Sequence, residues 1–132
     1  MKKDNGKIRI EIRDGIPIID IYHNGEIQLI DVVWVNHTLL HDIEPPLQLP
    51  TDIIFDRSGS YSLSEDAYLI IQELMQESNR VAYVIHSPVQ EELVKLAANS
   101  YLSNKQVGQF TSIEDAIKWF QESRRDNPSE GT

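Results

Sequence analysis

Between Lys7 and Arg13 the chain alternates without a break, with Ile8, Ile10 and Ile12 on one side and Lys7, Arg9, Glu11 and Arg13 on the other. A period of two belongs to a strand with one buried face, and a helix cannot gather those isoleucines into a single stripe. A strand of this kind needs a partner. Asp14-Gly15 is a hairpin turn dipeptide and Ile16 to Tyr22 resumes a β-rich run, so the two segments read as an antiparallel hairpin ended by His23-Asn24-Gly25.

Downstream the period lengthens. Residues 26–43 contain the β-branched run "IDVVWV", which would suit a strand, but Leu29, Val32, Val33, Leu39, Leu40 and Ile43 fall on one side of a 3.6-residue period and favour a helix. Glu26, Asp31, Thr38 and Asp42 fall mostly elsewhere, and "EPPLQLP" stops the helix. Ile53 to Phe55 is a short strand ending in Asp56; a helix with the stripe Ala67, Ile70, Ile71, Leu74 and Met75 follows. Val81 to Ile85 is a nearly continuous apolar run that suits a strand covered on both faces. Ser87, Pro88 and Gln90 open the next helix as cap, first-turn proline and back-bonding amide, with Val89, Leu93, Leu96, Ala97 and Tyr101 as its inward stripe. A last strand, Gln106 to Phe110, leads through the capping box Thr111-Ser112-Ile113-Glu114 into a helix that turns Ile113, Ala116, Ile117 and Phe120 inward.

The pattern predicts an α/β fold, a single-layer mixed five-stranded sheet with four helices in the order β-β-α-β-α-β-α-β-α, largely parallel after the hairpin. Residues 1–132 read as one domain, with an ordered core over about 7–122 and a polar tail over 123–132.

The net charge of −9, from 21 acidic and 12 basic residues, repels phosphate backbones and anionic lipid heads, so nucleic acid is not an expected partner. With no cysteine there is no disulfide framework, thiolate metal cage or thiol nucleophile. The start "MKKDNGKIRI" has no apolar signal core and no uncharged run is long enough to span a bilayer, so the expectation is a cytoplasmic protein without membrane insertion.

The order of elements, with "RVAYVIHSPVQEELVKLAANSYLSN" and "VGQFTSIEDAIKWFQ", resembles the SpoIIAA-like, or STAS/Sec14-like, proteins of bacteria. Their closing signature is a phenylalanine at a strand end, then a serine or aspartate, an acidic pair, an alanine and a tryptophan on the last helix. Here it falls on Phe110, Ser112, Glu114, Asp115, Ala116 and Trp119, and the likeness in topology covers nearly the whole chain. These are packing residues and speak to fold. The resemblance implies a small regulatory or binding domain that is not an enzyme and has a protein partner. Members named for anti-sigma-factor antagonists dock on a partner kinase and carry a phosphorylatable serine in Asp-Ser-Ser-Gly after the third strand. Asp56 matches that aspartate, but the loop continues Arg57-Ser58-Gly59-Ser60-Tyr61, so the motif is not reproduced. Distant relatives bind nucleotides or lipidic ligands, which implies an alternative: a small-ligand carrier with an apolar ligand between the first helices and the sheet near Trp34.

Ser62 and Glu65 have capping-box spacing before the Ala67 stripe, which leaves Arg57, Ser58, Gly59, Ser60 and Tyr61 without a structural duty and makes them the expected partner-binding segment. Ser58, Ser60 and Ser62 are the candidate phosphoacceptors, although Glu65 and Asp66 already place negative charge at the helix start. His37 and His41 have the i, i+4 spacing of two metal ligands, with Asp42 or Glu44 as a third, but Thr38 stands where a zinc hydrolase needs glutamate. His86 beside Ser87 could pair base with nucleophile, yet Ser87 is better used as a cap and Gly-x-Ser-x-Gly is missing. No catalytic residue and no cofactor is therefore expected, and His86 and Asp56, at the ends of neighbouring strands, are expected to hydrogen-bond. Trp119, offset from the inward stripe, either packs at the core or edge or offers surface to a partner or to a second copy in a homodimer.

Overall fold

The computed structural model describes residues 2–42, 51–76, 78–99 and 106–125. Tyr101, Ile43, the "EPPLQLP" stop from Glu44 onward and the tail beyond 125 lie outside them.

The hairpin forms as its sequence requires. β2 (Ile8–Arg13) pairs antiparallel with β3 (Ile16–Ile21), closing Arg13 against Ile16. Asp14 and Gly15 take φ of 54° and 76°, the positive values that such a tight turn needs. A strand that the sequence did not announce, β1 (Lys2–Asp4), pairs antiparallel with β2 and is held there by Asp4, which accepts from the Tyr22 hydroxyl at 2.6 Å. β5 (Ile53–Asp56), β7 (Arg80–Val84) and β8 (Gln106–Phe110) extend the sheet in parallel, giving the order β1-β2-β3-β5-β7-β8.

The predicted mixed α/β architecture with four helices is present, and β1 makes the central sheet six-stranded. α1 (Leu29–His37) with the turn that follows it, α2 (Glu65–Gln76) and α3 (Pro88–Ala98) pack on one face, burying Val32, Val35, Leu39, Ala67, Met75 and Val94 against Ile8, Ile10, Phe55 and Tyr83. α4 (Ile113–Arg125) covers the other face with Ala116, Ile117 and Phe120 on Ile18, Ile54, Ala82 and Val84. Ser112 caps α4 by accepting from Asp115 N at 3.1 Å, so the helix starts after Ser112 rather than after Thr111.

The first helix departs from its predicted bounds and phase. Glu26–Ile27 is a short strand, β4, paired in parallel with β6 (Ser62–Leu63). The helix begins only at Leu29, capped where Asp31 accepts from Gln28 N at 3.0 Å, and widens into a π-helical turn over Thr38–Asp42. Val32 and Leu39 of the predicted stripe are buried, but Asp31 and Thr38 are buried with them and Val33 is exposed, so the inward face is turned from the predicted one. The cause is Asp31, which the Lys7 ammonium at 3.2 Å and the Asn5 amide at 3.3 Å draw toward the β1–β2 turn.

Candidate functional site

The parallel register sets the site. Asp20 of β3 stands opposite Asp56 of β5, and Asp56 opposite Val84 of β7, so two carboxylates meet at the ends of adjacent strands with His86 just beyond. Carboxyl ends of parallel strands are where α/β sheets place ligands and contacts. His86 Nε2 lies 2.7 Å from Asp56 Oδ1, the expected strand-end hydrogen bond. Ser58 donates its hydroxyl to Asp20.

The loop after β5 is fixed through its backbone. Arg57 N donates to Val84 O at 3.0 Å, Gly59 N to Ile21 O at 2.9 Å and Ser60 N to the Asn24 side chain at 2.8 Å. Gln90 of α3 donates to Arg57 O at 2.8 Å and accepts from His86 N at 2.7 Å, joining the two loops. Gly59 is buried against the β3–β4 connection, where a Cβ would come within 2.4 Å of His23 O and of the Tyr22 carbonyl carbon. Glycine is therefore required by space, so this stretch does have a structural duty. Outward it presents Ser58 and Ser60, exposed, with Arg57 and Tyr61 half-buried and stacked at 4.7 Å.

Ser62 does not cap α2. It belongs to β6, and Ser64 takes the cap, accepting from Ala67 N at 3.3 Å. Pairing of Ser62–Leu63 with Glu26–Ile27 keeps the chain extended for two residues past the predicted start.

The electrostatics of the site centre on Asp20. Burial pushes its carboxyl above the ordinary range, the Asp56 charge adds to this, and the Ser58 hydroxyl pulls in the opposite direction. A carboxyl with a raised folded-state pKa binds its proton more readily folded than unfolded, so its charge costs stability above that raised value. The cost is relieved as pH falls through the window down to the ordinary carboxylate value. Asp20→Asn is thus expected to raise the urea midpoint at neutral pH, with the gain shrinking as the buffer is taken down through that window. A lower midpoint for Asp20→Asn at neutral pH would show that the Ser58 hydrogen bond outweighs burial.

Nucleophile and base are not brought together here. The Ser58 hydroxyl goes to Asp20, His86 goes to Asp56, and Ser87 accepts from Gln90 N at 3.2 Å as the α3 cap. His37 and His41 lie with ring centroids 4.9 Å apart, and His37 Nδ1 is 3.3 Å from Asp42 Oδ2. Among the described residues no group of three or more His, Cys, Asp or Glu is placed to hold a metal ion. Trp34 packs on the core rather than lining the hollow beside α1, which Gln28, Ile30, Val33 and Ser64 help to form. Trp119 is half-buried against Phe110 at 5.4 Å, over Gly108, where a Cβ would meet both rings.

Sequence reasoning missed Asp20, Asn24 and Gln90 as parts of this site. Asp20 left a signal: it is the lone acid in the otherwise apolar run "IPIIDI".

No protein-family model and no curated relative matches the chain. Solved structures resemble it, among them two with a SpoIIAA-like fold. An uncharacterised protein of the DUF3478 family with a SpoIIAA-like fold from Shewanella loihica PV-4 superposes with a TM-score of 0.60 at 19% identity, over 85% of this chain and 90% of that one. The anti-sigma factor antagonist SpoIIAA in its unphosphorylated form superposes with a TM-score of 0.59 at 15% identity, over 86% and 97%. The chain has a SpoIIAA-like, STAS-like fold.

Proposed function

We propose that this protein is a non-enzymatic STAS-like regulatory module that works in the cytoplasm by protein contact, with Arg57, Ser58, Gly59, Ser60 and Tyr61 as its contact surface. The observation that carries the reading is the loop itself. Its backbone is pinned to three neighbouring segments while its serine side chains stay exposed, a rigid presentation that lowers the entropy cost of docking. A phosphate on Ser58 would face the Asp20 and Asp56 carboxylates, and one on Ser62 would stand opposite Glu26, so contact is favoured over a phospho-switch. Among the described residues no helix is long and apolar enough to cross a membrane.

Photocrosslinking in cells tests this. Benzoylphenylalanine placed at Ser60 is expected to give a discrete protein adduct that the same probe at Lys118, on α4 across the sheet, does not. Equal adducts from both positions, or none from Ser60, would count against the loop as the contact surface.

A further inference from the structure

Of the apolar period that the sequence assigns to the inner side of α3, Ala97 packs on the core but three residues lie outside. Val89, Leu93 and Leu96 are 68%, 44% and 66% exposed, and Val94 takes the core position. Leu93 and Leu96, with Tyr68 of α2 and Tyr83 of β7 beneath, line a groove of about 450 Å³ that also includes Arg57 and Tyr61 from the loop. That volume is in the range of small-molecule sites.

Arg57 gives the groove its chemistry. Arg9, Arg13 and Arg80 each hold a carboxylate, whereas among the described residues the Arg57 guanidinium has neither ion pair nor hydrogen-bond acceptor, and its Nε is buried. A partly enclosed cation without an acceptor is costly, and an incoming anion removes that cost. We infer that the groove binds a monoanionic amphiphile, a carboxylate on an aliphatic or aromatic body. The carboxylate lies on Arg57 and the body between Tyr68, Leu93 and Leu96. The planar guanidinium matches a carboxylate in two-point geometry. One cation in a chain of net charge −9 suits a single negative charge and disfavours polyphosphates. The site needs no protein partner, so it goes beyond the contact reading and can be tested on the purified chain alone.

Decanoate, below its micellar concentration, is the probe, titrated calorimetrically at neutral pH with decan-1-ol as its uncharged twin. Wild type is expected to bind one decanoate. Arg57→Gln should weaken that binding about tenfold or more, Arg57→Lys less. Leu96→Asp should remove it with the circular dichroism spectrum unchanged, and decanol should bind wild type and Arg57→Gln alike. No binding of decanoate to wild type overturns the inference, as does equal binding to wild type and Arg57→Gln, or binding that survives Leu96→Asp. A chain that ignores decanoate but forms a dimer that Leu96→Asp dissociates would assign the groove to a second copy instead.

Discussion

Replacing Asp52 by alanine is expected to lower the unfolding free energy by about 3–5 kcal/mol, read as a fall in urea midpoint at constant slope. Asp52 directly precedes β5 and meets Arg80, the first residue of β7, in a two-point pair: Nε to Oδ1 at 3.1 Å and Nη2 to Oδ2 at 2.8 Å. Asn79 adds a third donor at 3.3 Å. The side chains are only 3% and 12% exposed, so solvent cannot take over when one partner is removed. Arg80 would remain under the Phe120 ring, 4.9 Å from its centroid, with the Phe120 carbonyl at 3.4 Å as a weak acceptor. The cost belongs to the stranded charge rather than to the pair as such. Asp52→Leu combined with Arg80→Met should consequently recover most of the loss. A single-variant cost below about 1 kcal/mol would mean that the pair behaves as a screened surface contact.

That pair also shows what kind of information a single sequence withholds. The β5 and β7 strands were readable because their apolar runs are local, but the partnership of Asp52 with Arg80 exists only through the register Ile53 to Val81. The strand over Lys7 to Arg13 followed from its period, the strand over Ile16 to Tyr22 from a β-rich run after a turn dipeptide, and the inward face of α4 from its apolar stripe after a capping box. β1 did not, because "KKD" is an exposed edge with no apolar residue to betray it. The stripes of α1 and α3 were legible as periods but not as faces. A period says that apolar residues are aligned; which of two aligned sets meets the sheet depends on the neighbours. On α1 the buried Asp31 turned the face so that Val32 stayed inside and Val33 did not, and on α3 Val94 took the core with Ala97 beside it while Val89, Leu93 and Leu96 turned out.

The site divides in the same way. The segment Arg57 to Tyr61 stood out as an unclaimed polar stretch, and the structure sets it at the strand ends beside Asp20, Asp56 and His86. Its rigidity could not be read, since the anchors at Ile21, Asn24, Val84 and Gln90 come from three separate parts of the chain. The cap at Ser64 was hidden by a better-looking box at Ser62, because a two-residue parallel pairing leaves no periodic trace.

Phe120→Ala should cost about 3–5 kcal/mol, and Leu96→Ser less than about 0.5 kcal/mol, in the same urea series. Both residues lie in apolar periods of amphipathic helices, so sequence would rank them alike. Phe120 is fully buried, and with Ala116 and Ile117 it joins α4 to Ile18, Ile54, Ala82 and Val84, so truncation opens a cavity under the helix that covers that face. Leu96 is 66% exposed at the groove, and a serine there leaves no void. Comparable costs at the two positions would mean that the α3 stripe is packed against something in the native protein, and the groove would then be closed to a ligand. A large gap between them keeps the stripe at the surface, where its apolarity adds little to folding and stays available to the ligand proposed for the groove.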